Sequence, residues 1–339
     1  MDKLTKLADF LTQHLHGEHA IALNAMIIDL THAVKKIAIA IDSGALHGNM
    51  GNLEAINVQG ETQKALDVIS DKLFVEAAEH CGHFAGLVSE ELAEPVIIDK
   101  KYRINGQYLL ISDPLDGSSN VNVNISVGSI FSILHSTILD NPNADPNLSD
   151  FLQPCVKQLC AGYAMYGTST ILMLTTGNGV NGFTLDRKTN DFYLTHPSLQ
   201  IPVDTQEFAC NMSNYRFWQE PVQRYIDECL EGTEGERKKD FNMRWVASMV
   251  AEVHRILVRG GLFMYPLDSK QKSGKLRLMY EANPMSFIVE QAGGAASTGH
   301  MRILELTPTN IHQRVPVIMG SKNEVDRLWG YHQHKTKKK

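Results

Sequence analysis

Asp113 and Asp116 stand three residues apart at the end of a short apolar run, residues 108–111. That run is β-prone and reads as a buried strand delivering both acids to one edge of a sheet. Pro114 between them fixes one φ angle and removes an amide donor. Gly117, Ser118, Ser119 and Asn120 follow, and their small size leaves backbone N–H groups able to cradle an anion. Carboxylate oxygens hold hard divalent cations. The two features together suit a metal-bound phosphate ester. Asp-Pro and Asp-Gly alone are ordinary turn dipeptides; the whole octapeptide 113–120 is far more specific.

Further acids stand where they could join this pair. Glu90 and Glu91 follow a short strand over 84–88, behind Ser89. Two adjacent acids at a strand end are usually solvated, yet acids at the ends of neighbouring strands can converge on one point, since open α/β sheets bind ligands beyond strand ends. Asp67 lies between Leu66 and Val68 in a helix over 61–80; by itself such an acid ordinarily faces solvent. A basic loop over 270–277 offers Lys275 and Arg277 to a phosphate, or is simply a solvated surface.

The elements that must position these groups are read from periodicity. Residues 21–42 form an amphipathic helix with an apolar stripe of Ile21, Ala25, Ile28, Val34, Ile37 and Ile41, and with Lys35 and Lys36 facing away. Ser43-Gly44 stops it. Residues 44–60 carry four glycines and little periodicity, which suggests a functional lid. Residues 120–136 read as one alternating strand, and 160–195 as a meander. A second half starts near residue 200. It has strands at 208–211, 262–265 and 315–319, and helices at 221–230, 248–258, 284–291 and 323–329. Pro284 sits at a helix start, where its missing N–H costs little. Alternating strands and helices imply a layered α/β fold. Two subdomains are expected. Residues 1–200 hold the N-terminal helices, the lid loop and the acidic strand ends; 201–335 bind the sugar phosphate.

Composition narrows the class. A chain of 339 residues with 43% hydrophobic and 21% charged residues is an ordinary soluble globular protein. A net charge of -6 argues against nucleic-acid binding. Five cysteines without a C-x-x-C pair point to a reducing cytoplasm. The first residues lack the apolar region of a signal peptide. No apolar run approaches about 18 residues, so no membrane span is expected.

The octapeptide Asp113-Pro114-Leu115-Asp116-Gly117-Ser118-Ser119-Asn120 resembles the sugar-phosphatase signature of the class I fructose-1,6-bisphosphatases. Inositol monophosphatases carry a shorter relative with Thr after the Gly, so Gly-Ser-Ser-Asn points to the bisphosphatase branch. Other runs resemble the same family, in order. They are Leu66-Asp67-Val68, Ser89-Glu90-Glu91, Ala161-Gly162-Tyr163-Ala164, Gly260-Gly261-Leu262-Phe263-Met264-Tyr265-Pro266, Gly274-Lys275-Leu276-Arg277-Leu278-Met279-Tyr280-Glu281 and Ile311-His312-Gln313-Arg314. On these runs the chain is identified as a member.

The resemblance implies an α-β-α-β-α sandwich of the sugar-phosphatase type and a homotetramer. It implies Mg2+, about two or three ions per subunit, with Mn2+ a possible substitute. The activity implied is hydrolysis of the 1-phosphate of fructose 1,6-bisphosphate. Metal ligands by resemblance are Glu90, Glu91, Asp113, Asp116, Glu281 and the Leu115 carbonyl. Asp67 and Glu91 would orient and deprotonate the attacking water. Gly117, Ser118 and Ser119 would present N–H groups to the transferred phosphoryl, beside Asp116. Lys275 and Tyr265 would contact the sugar bisphosphate, with Arg277 a further candidate and Arg244 reaching in from a neighbouring subunit. Asn211 and Tyr215 carry over with an open register, because the run between them is one residue longer than the animal pattern. The lid acid, Asp in animal enzymes, is Glu61 here, and a pocket Tyr is Trp245. Catalysis should survive both changes. Sedoheptulose 1,7-bisphosphate is an alternative or additional substrate. An inactive regulatory protein on the same scaffold is a third reading, opposed by the retention of every expected carboxylate.

Inhibition by AMP, common in the family, is expected to be weakened or absent. In AMP-sensitive relatives hydroxyl residues at the first long helix cradle the AMP phosphate, and a Lys-Tyr pair and an Arg complete the site. Here the entry segment is His16-Gly17-Glu18-His19-Ala20, the Lys position is Gln107 before Tyr108, and the Arg position is His135. A phosphate dianion would lose two permanent cations. The histidines restore charge only near or below a pKa of about 6.5, and backbone N–H groups at the helix start could still hold phosphate unaided.

Overall fold

A computed structural model describes residues 4–47, 52–56, 62–136 and 144–333. The chain opens with helices α1 (Leu7–His14) and α2 (Ala20–Ser43). In α2 the buried face is Leu23, Met26, Ile27, Leu30, Val34 and Ile37, a helical spacing. Ile21, assigned to that face from the sequence, is 85% exposed. Lys35 does not face away: it is half-buried, with its Nζ 5.9 Å from the Phe192 ring centroid. The helix has apolar residues nearly all round, so packing rather than pattern selects its inner face.

Strands β1 (Asn52–Ile56) and β2 (Thr62–Lys64) pair antiparallel. The stretch expected to lack structure thus contains a strand. Residues 48–51 and 57–61, with Glu61, lie outside the described residues. The expected helix over 61–80 starts later, as α3 (Ala65–Cys81), because residues 62–64 belong to the strand. Strands β3 (Phe84–Ser89), β4 (Val96–Ile97), β5 (Tyr108–Asp116) and β6 (Val127–His135) follow.

Of the single strand expected over 120–136, only Val127–His135 is strand, as β6. Ser118–Val123 form a 3-10 turn, entered from Gly117 at φ +75° and left through Asn124 at φ +56°. Two left-handed residues cannot belong to a regular strand. The apparent alternation there comes from Val121, which is buried, and Val123 and Ile125, which are exposed.

After the short helix α4 (Leu148–Phe151) comes the expected meander, β7 (Gln158–Tyr166), β8 (Thr170–Thr175), β9 (Val180–Asp186) and β10 (Asp191–Leu199). One eight-stranded sheet results, in the order β10-β9-β8-β7-β6-β5-β3-β4. Among the described residues, only β3 and β5 pair parallel in it.

The second half contains β11 (Glu207–Ala209), α5 (Glu220–Leu230), β12 (Asn242–Met243), α6 (Met249–Arg259), β13 (Leu262–Tyr265) and β14 (Leu276–Arg277). A wide π-type turn over Leu278–Ala282 then leads into α7 (Asn283–Gln291). The chain closes with β15 (Ala295–Ser297), β16 (Arg314–Val315), β17 (Val317–Gly320) and α8 (Lys322–Gln333). The expected strand over 315–319 is two strands in different sheets, divided at Pro316, which has no N–H for a ladder. β12, β11, β13, β17 and β15 form a five-stranded sheet in that order.

The layers follow from which faces are apolar. Helices α2 and α3 pack on one face of the large sheet, burying Met26, Ile27, Val34 and Phe74 against Leu110, Phe131 and Leu172. Helices α6 and α7 bury Val250, Val253, Met285 and Val289 between Tyr163 and Met173 of the large sheet and Phe263 and Met319 of the smaller. Helices α5 and α8 cover the outer face through Tyr225, Ile226 and Leu328. The order is α-β-α-β-α, as expected. No described helix is long and apolar enough to cross a membrane.

Candidate active site

The parallel register aligns Ser89 of β3 with Ser112 of β5. Glu90 and Glu91 therefore leave β3 beside Asp113 and Asp116 of β5. A cavity of about 390 Å3 opens there, lined by Lys64, Asp67, Glu90, Glu91, Asp113, Leu115, Asp116, Gly117, Ser118, Ser119, Asn122, Arg277 and Glu281. Ligand oxygens of Asp113, Asp116 and Glu281 lie within 4.8 Å of one another, and all three residues are buried.

Buried carboxylates this close resist ionisation. Burial pushes Asp113 well above the usual carboxylate range, and the Glu90 charge adds to it. Burial also raises Asp116. Burial and the neighbouring Glu281 push Glu90 up to about 8, against the opposing pull of Arg277. Arg277 Nη1 lies 2.8 Å from Glu90 Oε1, and the Arg277 N–H donates to Glu281 Oε2 at 2.6 Å. The two lining cations, Arg277 and Lys64, do not neutralise this many acids. An all-oxygen donor set short of positive charge fits hard divalent cations.

Each acid is held by a different element. Asp116 Oδ2 accepts from the Val250 N–H at 2.9 Å and from Ser248 Oγ at 3.1 Å, both at the N-terminus of α6. The left-handed Gly117 brings the chain against the same residue: a Cβ added there would lie 2.9 Å from Ser248 Cβ. Glu281 is set by the wide turn before α7. Asp67 is only 3% exposed, not a solvent-facing helix acid, and its Oδ2 accepts the Lys64 N–H at 2.7 Å at the start of α3.

Lys64 and Asn122 are lining residues that the sequence reading missed. Lys64 is buried, and its ammonium donates to the Ser118 carbonyl. A lysine ahead of a helix carries no pattern by itself; only the fold brings it to a turn 54 residues away.

A second pocket of about 200 Å3 holds Asn211, Tyr265 and Lys275, with Trp218, Asp268 and Lys270. Lys275 Nζ sits 4.8 Å from the Tyr265 ring centroid, a cation–π contact. Lys275 and Arg277 thus line different pockets, because Arg277 is drawn to Glu90 and Glu281. Asn211 Oδ1 caps its own turn by accepting from the Ser213 N–H at 3.2 Å. Tyr215 lines neither pocket, and its hydroxyl donates to Asp227 at 2.7 Å. Arg244 lines neither pocket, is half exposed, and has Nε 3.8 Å from Glu207. Trp245 packs edge-on against Tyr265, ring centroids 5.2 Å apart.

A histidine cluster lies at the start of α2. His19 Nδ1 is 3.0 Å from the Tyr108 hydroxyl, and its ring centroid is 5.0 Å from that of His135. Burial and the adjacent His19 push His135 below the usual imidazole range.

Residues 6–197 match the family described as fructose-1-6-bisphosphatase, N-terminal domain, and residues 201–333 match the corresponding C-terminal domain. The chain belongs to the fructose-1,6-bisphosphatase family. Among curated relatives, a fructose-1,6-bisphosphatase class 1 of Methylobacillus flagellatus is 56% identical over 333 residues, covering 97% of this chain and 98% of that one. Another, of Halorhodospira halophila, is 55% identical over 336 residues, with the same coverage of 97% and 98%. Among solved structures, the holo form of fructose-1,6-bisphosphatase from Leishmania major superposes with a TM-score of 0.90 at 36% identity, covering 98% of this chain and 100% of that one. Its apo form gives 0.85 at 34% identity, with coverage again 98% and 100%.

Proposed function

We propose that this protein is a divalent-metal-dependent phosphatase that hydrolyses the 1-phosphate of fructose 1,6-bisphosphate, giving fructose 6-phosphate and phosphate. The observation that carries the reading is the meeting of Asp113, Asp116 and Glu281 beside the Gly117–Ser119 turn, in a chain of this family. Mg2+ is the metal we favour, at about two or three ions per subunit, with Mn2+ as a substitute. Glu90, Glu91, Asp113, Asp116, Glu281 and the Leu115 carbonyl would hold it. When bound, such a cation lowers the pKa of water and stabilises the leaving oxygen.

The rest is the work of the chain. N–H groups of Gly117, Ser118 and Ser119 bind the transferred phosphoryl, whose reaction is mostly positioning and charge stabilisation. Carboxylate oxygens of Asp67 and Glu91 orient the attacking water and take its proton. Lys275, Tyr265 and Asn211 bind the distal phosphate in the second pocket. Residues 1–200 and 201–335 act as two subdomains, with the reacting phosphate between strand ends of the first and the α6 terminus of the second. We place the protein in the cytoplasm as a homotetramer, with Arg244 offered to a neighbouring subunit. Sedoheptulose 1,7-bisphosphate remains an alternative substrate. Phosphate release from a panel of sugar mono- and bisphosphates, with and without Mg2+, tests the reading. Release without added metal after chelation, or equal rates on every monoester, would sink it.

Lys275→Ala should raise KM for the bisphosphate by about 10- to 100-fold, the worth of a hydrogen bond to a charged group. Its kcat should change little, because a contact remote from the reacting bond contributes mostly uniform binding. Steady-state kinetics with an unchanged KM would place Lys275 outside the substrate pocket.

AMP inhibition is expected to be weak. The cations that would meet a phosphate at the start of α2 are histidines, and His135 is held neutral by burial and by His19. Rates measured at about pH 7.5, above the ordinary histidine pKa, should fall little as AMP is added. Half-inhibition at low micromolar AMP would overturn this.

A further inference from the structure

Asp71 lies one helical turn beyond Asp67 on α3, so the two carboxylates leave the same face of the helix. Asp67 lines the carboxylate cavity and Asp71 does not. Asp71 Oδ1 instead accepts the hydroxyl hydrogen of Ser89 at 2.5 Å. Ser89 is the last residue of β3 and is 1% exposed. Its Oγ accepts in turn from the Glu91 N–H, at 3.4 Å. Carboxylate, hydroxyl and peptide N–H thus run in a chain from α3 to the peptide that introduces Glu91.

The direction of this chain is fixed by chemistry. An ionised carboxylate only accepts, so the one hydroxyl hydrogen of Ser89 is committed to Asp71. The hydroxyl lone pairs are then left for the Glu91 N–H. Without Asp71 the hydroxyl can rotate and donate elsewhere, and the oriented acceptor is lost. Glu90 does not depend on this device, because its N–H donates to the Ser112 carbonyl of β5 at 3.1 Å. The backbone N–H groups of the two acids thus have different partners, Glu90's in β5 and Glu91's a hydroxyl tied to α3.

We propose that Asp71 is a positioning residue that orients Glu91 through the Ser89 hydroxyl. The inference rests on the reading of the cavity as a metal and water site. Partners one shell beyond a metal ligand typically change metal affinity or activity by about 10- to 100-fold when removed. A bond as long as that between Ser89 and Glu91 belongs at the lower end of that range.

The test compares Asp71→Ala, Ser89→Ala, the double variant and Asp71→Asn. The readouts are kcat, KM for fructose 1,6-bisphosphate, the Mg2+ concentration for half activation, and Mn2+ binding by calorimetry without substrate. Each alanine variant should lower kcat and weaken Mn2+ binding by about 10-fold, with KM for the bisphosphate unchanged. The double variant should be no worse than either single one, since both break the same chain. Asp71→Asn keeps an acceptor oxygen and should restore most of the loss. Wild-type kcat and Mn2+ binding in Asp71→Ala would overturn the inference alone, even if its Tm falls. So would losses that multiply in the double variant. A wild-type protein that neither binds nor needs a divalent metal would overturn the cavity's reading and this inference together.

Discussion

Asp116→Ala should lower kcat by on the order of 10³-fold or more, the scale expected when several kcal/mol of metal-dependent transition-state stabilisation are removed. Asp116 has two functions that fail together. It supplies one of three oxygens that converge within 4.8 Å. It also joins the strand end of β5 to the N-terminus of α6 through Val250 N–H and Ser248 Oγ. Stability separates this from simple misfolding. Burial raises the Asp116 pKa, so ionising it in the metal-free protein is costly. Removing it relieves that cost while losing two hydrogen bonds, each worth about 1–3 kcal/mol. Melting of the metal-free variant should therefore stay near wild type, and Mg2+ should raise the Tm of the wild type but not of the variant. Near-normal turnover, or an intact Mg2+-dependent Tm shift, would remove Asp116 from the metal site.

Gly117→Ala should lower kcat/KM by about 10²-fold, the cost of a misplacement near 1 Å at a reacting group. At φ +75° a side chain costs about 1–2 kcal/mol from backbone sterics alone. The added Cβ would also meet Ser248 Cβ at 2.9 Å. Ser248 must move, and with it goes a donor to Asp116. The lesion therefore spreads from the phosphoryl-binding turn to the carboxylates. Kinetics with the bisphosphate, with Tm as a control for folding, checks it. Wild-type kcat/KM would mean that this turn does not meet the transferred phosphate. Gly117→Ala and Ser248→Ala should also combine non-additively, because both disrupt the Ser248 hydroxyl's bond to Asp116.

Much of this site is written into short stretches of sequence. The run 108–120 carries its own strand, its own acids and its own turn, all set by local spacing and by the dihedral limits of proline and glycine. Helix α6 and strand β13 are likewise legible, from apolar periodicity and the glycines between them. Local pattern failed where competing faces are nearly equal in hydrophobicity. The inner face of α2 is an example, since Ile21 and Leu23 are alike as residues and differ only in what packs against them. It failed again at the start of the strand read over 120–136, where alternating valines mimic a strand but Ser118–Val123 wind into a turn flanked by the left-handed Gly117 and Asn124.

What the sequence determined by itself is the chemistry available: carboxylate oxygens, a peptide turn able to hold an anion, and cations able to meet another. The tertiary structure decided which of these meet. The parallel pairing of β3 with β5 set Glu90 and Glu91 beside Asp113 and Asp116. The fold sent Arg277 to the acids and Lys275 to the second pocket, and it buried Asp67 and Lys64 at the cavity. The donor that grips Asp116 comes from a residue 134 positions away. Spacing along the chain fixes neighbours within a turn or a strand, but contacts at such separations depend on how whole layers pack, and packing is a property of all the apolar faces together.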